Sequence, residues 1–493
     1  MNSKIKITLF HLSASGSNNY HLFHAAPEHL RSKYDIELLT KEQTLYNRYL
    51  DESDVYITTH GEYLSHYEKV NIDLWHGFPL KTMAKMDRNE KLPDEDIHKH
   101  WSEVDMIMSY STLYNTLMNA CNGANISKYQ ITGMPRNDAL FSTHSVQHLK
   151  RLFPGLGDGK VIFYMPTFRQ SIVTPDKVDG GKHTGNVFGL PDFNKTQLIL
   201  FLKEHNLSLV LKLHPFEEQY FEKELQELAT QGVYTLSDAK LMEASLDLYE
   251  VLGAADMLIT DYSSVYIDYL LLDRPVLFLA TDLEEYRANR GFLLEPYDFW
   301  TPGPNLNSQI ELFDAIQRFE SEPEWYNSER NTILNLCHQF KDDQSSERIW
   351  QYIDSYIEAH QDEIYQRRIS YQEHKQMQQQ VKRVIQGMIE QGHLEQANGA
   401  IQKYLENNKA DSDIFAMNGM LHLSNNDPQS AIKNFSAGHQ HFPWDEDLLY
   451  NLGYVHELIG QLKLARQYYE KAAAQCTKPD LAELLRNKLH QLV

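Results

Sequence analysis

The sequence has few cysteines, no excess of positive charge and no long apolar run, and each shortage excludes a class of protein. Its three cysteines, Cys121, Cys337 and Cys476, are far apart, so neither a disulfide framework nor a zinc-binding spacing is present. The formal net charge of −22 argues against broad nucleic-acid binding and disfavours wide contact with an anionic membrane. No segment approaches the roughly 20 continuous apolar residues of a membrane helix.

The remaining composition is that of an ordinary globular protein, with 42% hydrophobic and 23% charged residues. A chain of 493 residues predicts about three domains. The first 20 residues lack the apolar core and the small-residue cleavage site of a secretion signal. We therefore expect a cytoplasmic protein, and leave open whether it works at the inner face of the cell membrane.

Short apolar runs alternate with amphipathic stretches over the first 350 residues, which predicts parallel α/β sheets. A segment rich in Pro and Gly, residues 153–160, divides the pattern into two lobes, residues 1–152 and 153–355. The predicted strands are 5–10, 36–39, 55–58, 72–75, 106–108 and 129–132 in the first lobe, and 161–164, 207–213, 233–236, 257–260 and 275–279 in the second. Residues 171–193 are poor in apolar residues and predict a mobile surface loop, more readily a plain loop than a lid.

The last part of the chain differs in kind. After a helical linker at 356–376, residues 377–493 repeat with a period of 34. Alanines recur at 397, 431 and 465, larger apolar residues at 401, 435 and 469, and glycines at 419 and 453. This pattern is similar to tetratricopeptide repeats, with a plain helical bundle as the alternative, and it predicts an all-α region that binds a protein partner.

The segment LITDYSSVYIDY, residues 258–269, predicts a buried strand that turns into a helix at Ser263 and Ser264. The first backbone N–H groups of a helix lack intrahelical partners and favour an anion, and the two hydroxyls add donors. The alternative is that Asp261 and the serines only cap the helix.

Polar residues follow the other predicted strands as well. Because ligands bind beyond the carboxyl ends of parallel strands, these residues predict one phosphate-handling cleft between the lobes. Arg136, Arg169 and Lys212 supply positive charge for a diphosphate. His76 is the best candidate for a general base, and His214 either binds a phosphate oxygen or acts as an acid. Arg290 either anchors the substrate or pairs with Glu284 or Glu285 on the surface.

Several motifs in this order resemble one family. They are WHGFPLKTM, GMPRND, YMPTFR, LKLHP, ITDYSSVYIDYLLLDRPVLF, RGF and PGP, followed by FKDDQSSERI, and they span about residues 50–350. They resemble the CDP-glycerol glycerophosphotransferases, which include primases and polymerases of wall teichoic acid and related capsule polymerases. Phe78 stands where the family usually has Thr, which puts one contact of the acceptor lobe in doubt.

The resemblance implies a GT-B-like fold of two Rossmann-like lobes and transfer of a polyol phosphate from a CDP-linked donor to a hydroxyl acceptor, with release of CMP. The acceptor is expected to be lipid-linked or an oligosaccharide. His76 matches the family's base and His214 its second essential histidine, while Asp261, Ser263, Ser264 and Arg290 match the donor site. No Asp-x-Asp pair follows a strand of the donor lobe, so dependence on Mg²⁺ is left open. The alternatives are a glycosyltransferase that uses a nucleotide sugar and a repeat-bearing scaffold on an inactive core.

Overall fold

The computed structural model describes residues 4–40, 52–59, 68–169, 185–229, 232–408 and 410–492. The chain forms two compact units. Of the described residues, those from 4 to 364 belong to the first unit and those from 365 to 492 to the second.

The first unit is built on two parallel sheets, as the alternating pattern of the sequence predicts. Over the described residues, the first sheet has six strands in the order β2-β1-β3-β4-β5-β6. They are β1 (Lys6–His11), β2 (Asp35–Thr40), β3 (Val55–Thr58), β4 (Val70–Asp73), β5 (Met106–Ser109) and β6 (Tyr129–Ile131).

The second sheet has five strands over the described residues, in the order β11-β10-β7-β8-β9. They are β7 (Lys160–Tyr164), β8 (Leu207–Leu211), β9 (Tyr234–Thr235), β10 (Met257–Thr260) and β11 (Val276–Phe278). The structure therefore confirms each predicted strand, with differences of at most two residues at their ends. Strand β10, which lies between β11 and β7, is buried along its whole length, which explains its apolar run at residues 257–259.

Helices cover the faces of both sheets. In the first lobe they are α1 (Asn18–His24), α2 (Glu28–Lys33), α3 (Asp94–Ser102), α4 (Thr112–Asn122), α5 (Pro135–Asp138) and α6 (Ser145–Leu152). Those of the second lobe are α7 (Lys195–Glu204), α8 (Pro215–Glu218), α9 (Glu222–Ala229), α10 (Asp238–Glu243), α11 (Tyr249–Leu252), α12 (Val265–Tyr269), α13 (Leu283–Asn289), α14 (Tyr297–Trp300), α15 (Gln309–Ser321) and α16 (Asn327–Cys337). Local sequence sets their ends: the hydroxyl of Ser111 caps α4, and Gly123 ends it with a φ of 72°.

The helix that follows, α17 (Ser345–Ala359), returns to the first lobe although it comes after the second lobe in the chain. The indole Nε1 of its Trp350 donates to the carbonyl of Leu22 at 2.8 Å. Asp354 accepts from the hydroxyl of Tyr34 at 2.6 Å. This return ties the two lobes into one unit.

The predicted loop at 171–193 falls partly outside the described residues, which resume at 185. Residues 185–193 form neither helix nor strand, as the prediction of a loop requires, but the expectation that the segment lies on the surface is wrong for three of them. Val187, Phe188 and Leu190 are buried in the core of the second lobe, and Tyr164 donates to the carbonyl of Val187 at 3.0 Å. These few apolar residues are enough to hold the segment on the sheet.

The second unit is helical over its described residues. After α18 (Gln361–Glu390) come α19 (Leu394–Leu405), α20 (Ser412–Ser424), α21 (Pro428–His441), α22 (Glu446–Leu458), α23 (Leu462–Gln475) and α24 (Pro479–Gln491). The 34-residue period of the sequence also appears in the packing of the helices, because the alanines that recur at this interval, Ala397, Ala431 and Ala465, are all fully buried. A Cβ at Gly453 would lie 2.6 Å from the ring of Tyr469, so this glycine lets α22 and α23 approach closely. The assignment to tetratricopeptide repeats stays a prediction.

In the part of the chain that the structure describes, no helix is both long and apolar enough to span a membrane.

Candidate active site

Two cavities open between the lobes of the first unit, with volumes of about 310 and 610 Å³. We call them the small and the large cavity. Five residues line both: His76, Pro166, His214, Ser263 and Ser264. The structure thus brings both predicted histidines and both predicted serines to one place, although they come from three separate strand ends.

His76 follows β4 in a tight turn. Trp75 has a φ of 50°, and its backbone N–H donates to the carboxylate of Asp73 at 2.7 Å. The imidazole is exposed in the cleft, and its Nδ1 lies 3.2 Å from the carbonyl oxygen of Thr59. A carbonyl only accepts, so this contact requires a proton on Nδ1 and leaves the lone pair of the neutral ring on Nε2. That tautomer is the one a general base needs.

The close approach of the two lobes requires a glycine at position 77, directly after the histidine. A Cβ at this position would lie 2.7 Å from the Oγ of Ser264, which belongs to the opposite lobe. Only a residue without a side chain lets the two strand ends approach so closely. The WHG and YSS segments are therefore matched to each other across the cleft.

His214 follows β8 and is largely buried. Burial, together with the charges of Lys212 and Lys81, lowers its pKa from 6.5 to about 4. Its ring also contacts that of Phe168, with centroids 4.7 Å apart. The imidazole is consequently neutral at physiological pH in the free protein, and it can donate one hydrogen bond to a phosphate oxygen.

Ser263 and Ser264 lie just before α12, as the sequence predicts, but they do not cap it with their side chains. Ser264 occupies the capping position and makes no side-chain capping hydrogen bond. Asp261 instead accepts from the backbone N–H groups of Thr167, at 2.8 Å, and Tyr262. The capping alternative is therefore wrong.

Arg136 joins the two lobes. Its guanidinium lies 2.6 Å from the carboxylate of Asp268 in α12, and it also donates to the carbonyl of His76 at 2.8 Å. Asp268 is fully buried and accepts two further hydrogen bonds, from the Tyr249 hydroxyl at 2.6 Å and the Asn137 amide at 3.1 Å. The pair connects the backbone of the candidate base to the helix that begins beside Ser264.

The other two predicted cations are also paired with buried or half-buried carboxylates. Arg169 lies 2.7 Å from Asp261 and 2.7 Å from Asp282, and the Lys212 Nζ lies 2.9 Å from Asp238. Burial opposes ionisation of Asp238, but Lys212 and the hydroxyls of two serines keep its pKa below the usual value.

The observed contacts of Arg136, Arg169 and Lys212 are thus structural, and much of their charge is balanced inside the protein. Arg136 and Lys212 still line the large cavity, whereas Arg169 and Asp261 line neither cavity. That these residues bind the donor diphosphate stays a prediction.

Arg290 lines the small cavity, and the expected surface pair with Glu284 or Glu285 is wrong. Its guanidinium pairs with Asp87 of the first lobe, while Glu284 pairs with Arg287.

Sequence reasoning missed two other lining residues of the small cavity. Lys81 stands in the WHGFPLK motif, and the buried Oγ1 of Thr167, in YMPTFR, has no hydrogen-bond partner among the described residues. Lys81 and Thr167 both lie within the family motifs, but no periodic pattern of the sequence indicates that their side chains face the cavity.

Among the described residues, no group of three or more His, Cys, Asp and Glu side chains is arranged to hold a metal ion.

A known protein family matches the part of the chain that contains this site. The model of the CDP-Glycerol:Poly(glycerophosphate) glycerophosphotransferase family matches residues 9–355, which include all but the first eight residues of the two lobes and every described residue that lines the two cavities. The chain belongs to this family.

Its curated relatives are enzymes of teichoic acid synthesis. It is 30% identical over 223 residues to the teichoic acid ribitol-phosphate polymerase TarL of Staphylococcus aureus, covering 44% of this chain and 35% of that protein. It is 29% identical over 283 residues to the teichoic acid poly(glycerol phosphate) polymerase of Bacillus spizizenii, covering 55% of this chain and 65% of that protein. The chain thus spans less than two thirds of the length of these relatives.

The fold has a solved counterpart. The wall teichoic acid polymerase TagF superimposes with a TM-score of 0.57 at 19% identity, over 72% of this chain and 89% of that one. The first unit therefore has the mixed α/β fold with parallel sheets that the sequence predicts.

Proposed function

We propose that this protein transfers a polyol phosphate, most readily glycerol phosphate, from a CDP-linked donor to a hydroxyl acceptor and releases CMP. The observation that carries the proposal is the position of His76 at the junction of two cavities, next to His214, Ser263 and Ser264. Family membership and the names of the relatives support the donor class, and those names include both glycerol and ribitol phosphate polymers.

The reaction follows from these groups. Nε2 of His76 takes the proton of the acceptor hydroxyl as its oxygen attacks the β-phosphorus. A new P–O bond forms to the acceptor, and the bond between the β-phosphorus and the oxygen bridging to the α-phosphate breaks. That oxygen leaves on CMP. The neutral His214 and the hydroxyls of Ser263 and Ser264 donate hydrogen bonds to the phosphate oxygens as charge develops.

The two cavities suit the geometry of this step. The attacking and leaving oxygens of a phosphoryl transfer lie roughly in line on opposite sides of the phosphorus. With the phosphorus at the shared residues, CMP occupies one cavity and the acceptor the other. We assign the nucleotide to the large cavity, of about 610 Å³, because a nucleoside is bulkier than a polyol. The first lobe, residues 1–152, then supplies the base and part of the wall of the large cavity, including Arg136, and the second, residues 153–355, supplies most of the donor contacts.

Replacing the base tests this function. His76→Gln should lower kcat by about 10²- to 10⁴-fold, the usual contribution of a general base, and leave CDP-glycerol affinity nearly unchanged. His98→Gln is the matched control, because His98 is exposed on α3. Nucleotide release from CDP-glycerol and CDP-ribitol measures the rate, and calorimetry measures the affinity.

UDP-linked and CMP-linked sugars in the same assay test the glycosyltransferase alternative. If the purified protein neither binds nor turns over a CDP-polyol, the proposal fails. Turnover of a nucleotide sugar in its place would favour the alternative, and wild-type rates in His76→Gln would remove the proposed base.

For the second unit we propose a docking role, with a protein partner on the helical repeats. The stacking of paired helices supports this, since such arrays commonly bind proteins. A position at the inner face of the membrane, where a lipid-linked acceptor would be reached, belongs to the same proposal. Chemical cross-linking of the full-length protein in its native cell tests both.

A further inference from the structure

The segment that presents His76 has a strained backbone. Trp75, the residue before it, has a φ of 50°, a conformation that bulky side chains rarely adopt. Its indole lies against the ring of Trp101, with centroids 5.7 Å apart, and against the imidazole of His76, with centroids 4.6 Å apart. A residue in this conformation persists only where its surroundings hold it there, and such residues concentrate at functional sites. The contacts that hold Trp75 therefore bear on the proposed base.

Three side chains hold the backbone of this turn. The carboxylate of Asp73 accepts from the N–H of Trp75 at 2.7 Å, and the guanidinium of Arg136 donates to the carbonyl of His76 at 2.8 Å. The third side chain is the amide of Asn18, whose Nδ2 donates to the carbonyl of Trp75 at 2.8 Å. Both backbone polar groups of Trp75 and the carbonyl of the proposed base are thus fixed.

Asn18 is the first residue of α1 and is 1% exposed. Its Nδ2 also lies 3.4 Å from the carbonyl oxygen of Leu74, and its Oδ1 accepts from the backbone N–H of Arg136 at 3.3 Å. One side chain therefore connects α1 to the end of β4 and to the start of α5. These contacts need a donor and an acceptor, and a side-chain amide supplies both. Asn18 lines neither cavity, so any effect on the reaction passes through other residues.

The direction of the proposed base depends on this turn. A general base must lie within hydrogen-bond reach of the proton that it takes. The Nδ1 of His76 lies 3.2 Å from the carbonyl oxygen of Thr59, and the ring contacts Trp75, so the direction of Nε2 follows from where the backbone places both. Relaxation of Trp75 to an ordinary φ would move the imidazole within the cleft. A displacement of about 1 Å can lower a rate about 100-fold.

We infer that Asn18 is a positioning residue, whose amide holds Trp75 in the left-handed conformation and so directs the imidazole of His76 to the junction of the two cavities. This inference rests on the proposed function and deepens it. It assigns a role in the reaction to a buried residue of the first helix, which lies far from the base in the sequence.

Asn19 provides the matched control, because it is an adjacent buried amide with other partners. Its Nδ2 donates to the carbonyls of Phe10 and Ile57, at 3.1 and 2.7 Å, and joins β1 to β3. Asn18→Leu and Asn19→Leu remove the same group and keep a similar side-chain volume. Both should lower the free energy of unfolding, since each leaves buried carbonyls without a donor.

The two variants should differ in activity. Asn18→Leu should lower kcat about 10- to 100-fold and leave CDP-glycerol affinity within about twofold, whereas Asn19→Leu should change kcat less than about threefold. CMP release measures kcat at a temperature at which circular dichroism shows each variant folded, and calorimetry measures the affinity. Asn18→Ala and Asn19→Ala make the same comparison should either leucine variant fail to fold.

A double variant separates positioning from a purely structural role. In the His76→Gln background there is no base to direct, so adding Asn18→Leu should lower kcat less than about threefold further. Single-turnover reactions with excess enzyme measure these slow rates. A purely structural role would lower kcat by the same factor in both backgrounds.

Wild-type kcat in the Asn18 variants would overturn the inference. An equal loss in the His76→Gln background, or an equal loss in the Asn19 variant, would overturn it as well. Failure of the proposed function looks different: the protein would neither bind CDP-glycerol nor release CMP, or His76→Gln would keep the wild-type rate.

Discussion

The buried pair between Arg136 and Asp268 offers the sharpest test of how the lobes are joined. Asp268→Asn preserves the shape of the side chain and removes its charge. The Asp268 carboxylate accepts from Arg136, Tyr249 and Asn137, so one of these donors would then face an amide N–H group. Arg136, which is 4% exposed, would be left as an uncompensated buried charge.

Breaking a buried pair by removing one partner costs about 3–5 kcal/mol. We therefore expect Asp268→Asn to lower the free energy of unfolding of the first unit by that amount. Chemical denaturation followed by tryptophan fluorescence reports this unit selectively, because five of the six tryptophans precede residue 365. The same variant should lower kcat, since Arg136 also holds the carbonyl of His76.

Asp158→Asn is the matched control. Asp158 pairs with Lys150 at 2.6 Å, but both side chains are exposed, so the change should leave the free energy of unfolding nearly unchanged. A double variant, Arg136→Met with Asp268→Leu, should lose clearly less stability than the sum of its single variants. Two results would refute the role of this pair in joining the lobes: additive stability losses in the double variant, or a loss of unfolding free energy below about 1 kcal/mol in Asp268→Asn.

Two further predictions concern the histidines and their surroundings. Gly77→Ala places a Cβ 2.7 Å from the Oγ of Ser264, and we expect it to lower kcat/KM about 10-fold or more with little loss of stability. Gly155→Ala, whose Cβ meets only the Tyr234 hydroxyl at 3.9 Å, should change neither kcat/KM nor stability. Activity of Gly77→Ala equal to wild type would contradict the matched approach of the lobes. The pKa of His214 is about 4 in the folded protein, so the unfolded state binds more protons between about pH 6.5 and 4. The free energy of unfolding should therefore fall by up to about 3 kcal/mol as the pH is lowered through this window. Between pH 7 and 4, the unfolding free energy of the wild type should fall relative to that of His214→Gln, and parallel curves for the two proteins would exclude the depressed pKa.

Much of the fold was predictable from local sequence. Parallel strands buried on both faces leave short continuous apolar runs, and these runs located all of the strands described in both sheets. The period of 34 in the last part likewise identified the buried alanines, because small residues are required wherever paired helices touch.

The loop at 171–193 shows where such reasoning fails. Average polarity suggested a surface segment, but Val187, Phe188 and Leu190 suffice to anchor its described part. A few apolar contacts decide how a segment packs, and the mean polarity of the whole segment does not reveal them.

By itself, the sequence determined the two sheets, the helical character of the last part and the strand ends at which His76, His214, Ser263 and Ser264 meet, because parallel strands direct their carboxyl ends to one edge. Only the tertiary structure decided what each charged residue does there. Arg136, Arg169 and Lys212 look like phosphate ligands in the sequence, yet the fold places a carboxylate beside each. Arg290 likewise pairs with Asp87, which comes from the first lobe. The function of a charge depends on partners that come from distant parts of the chain, and no local pattern records them.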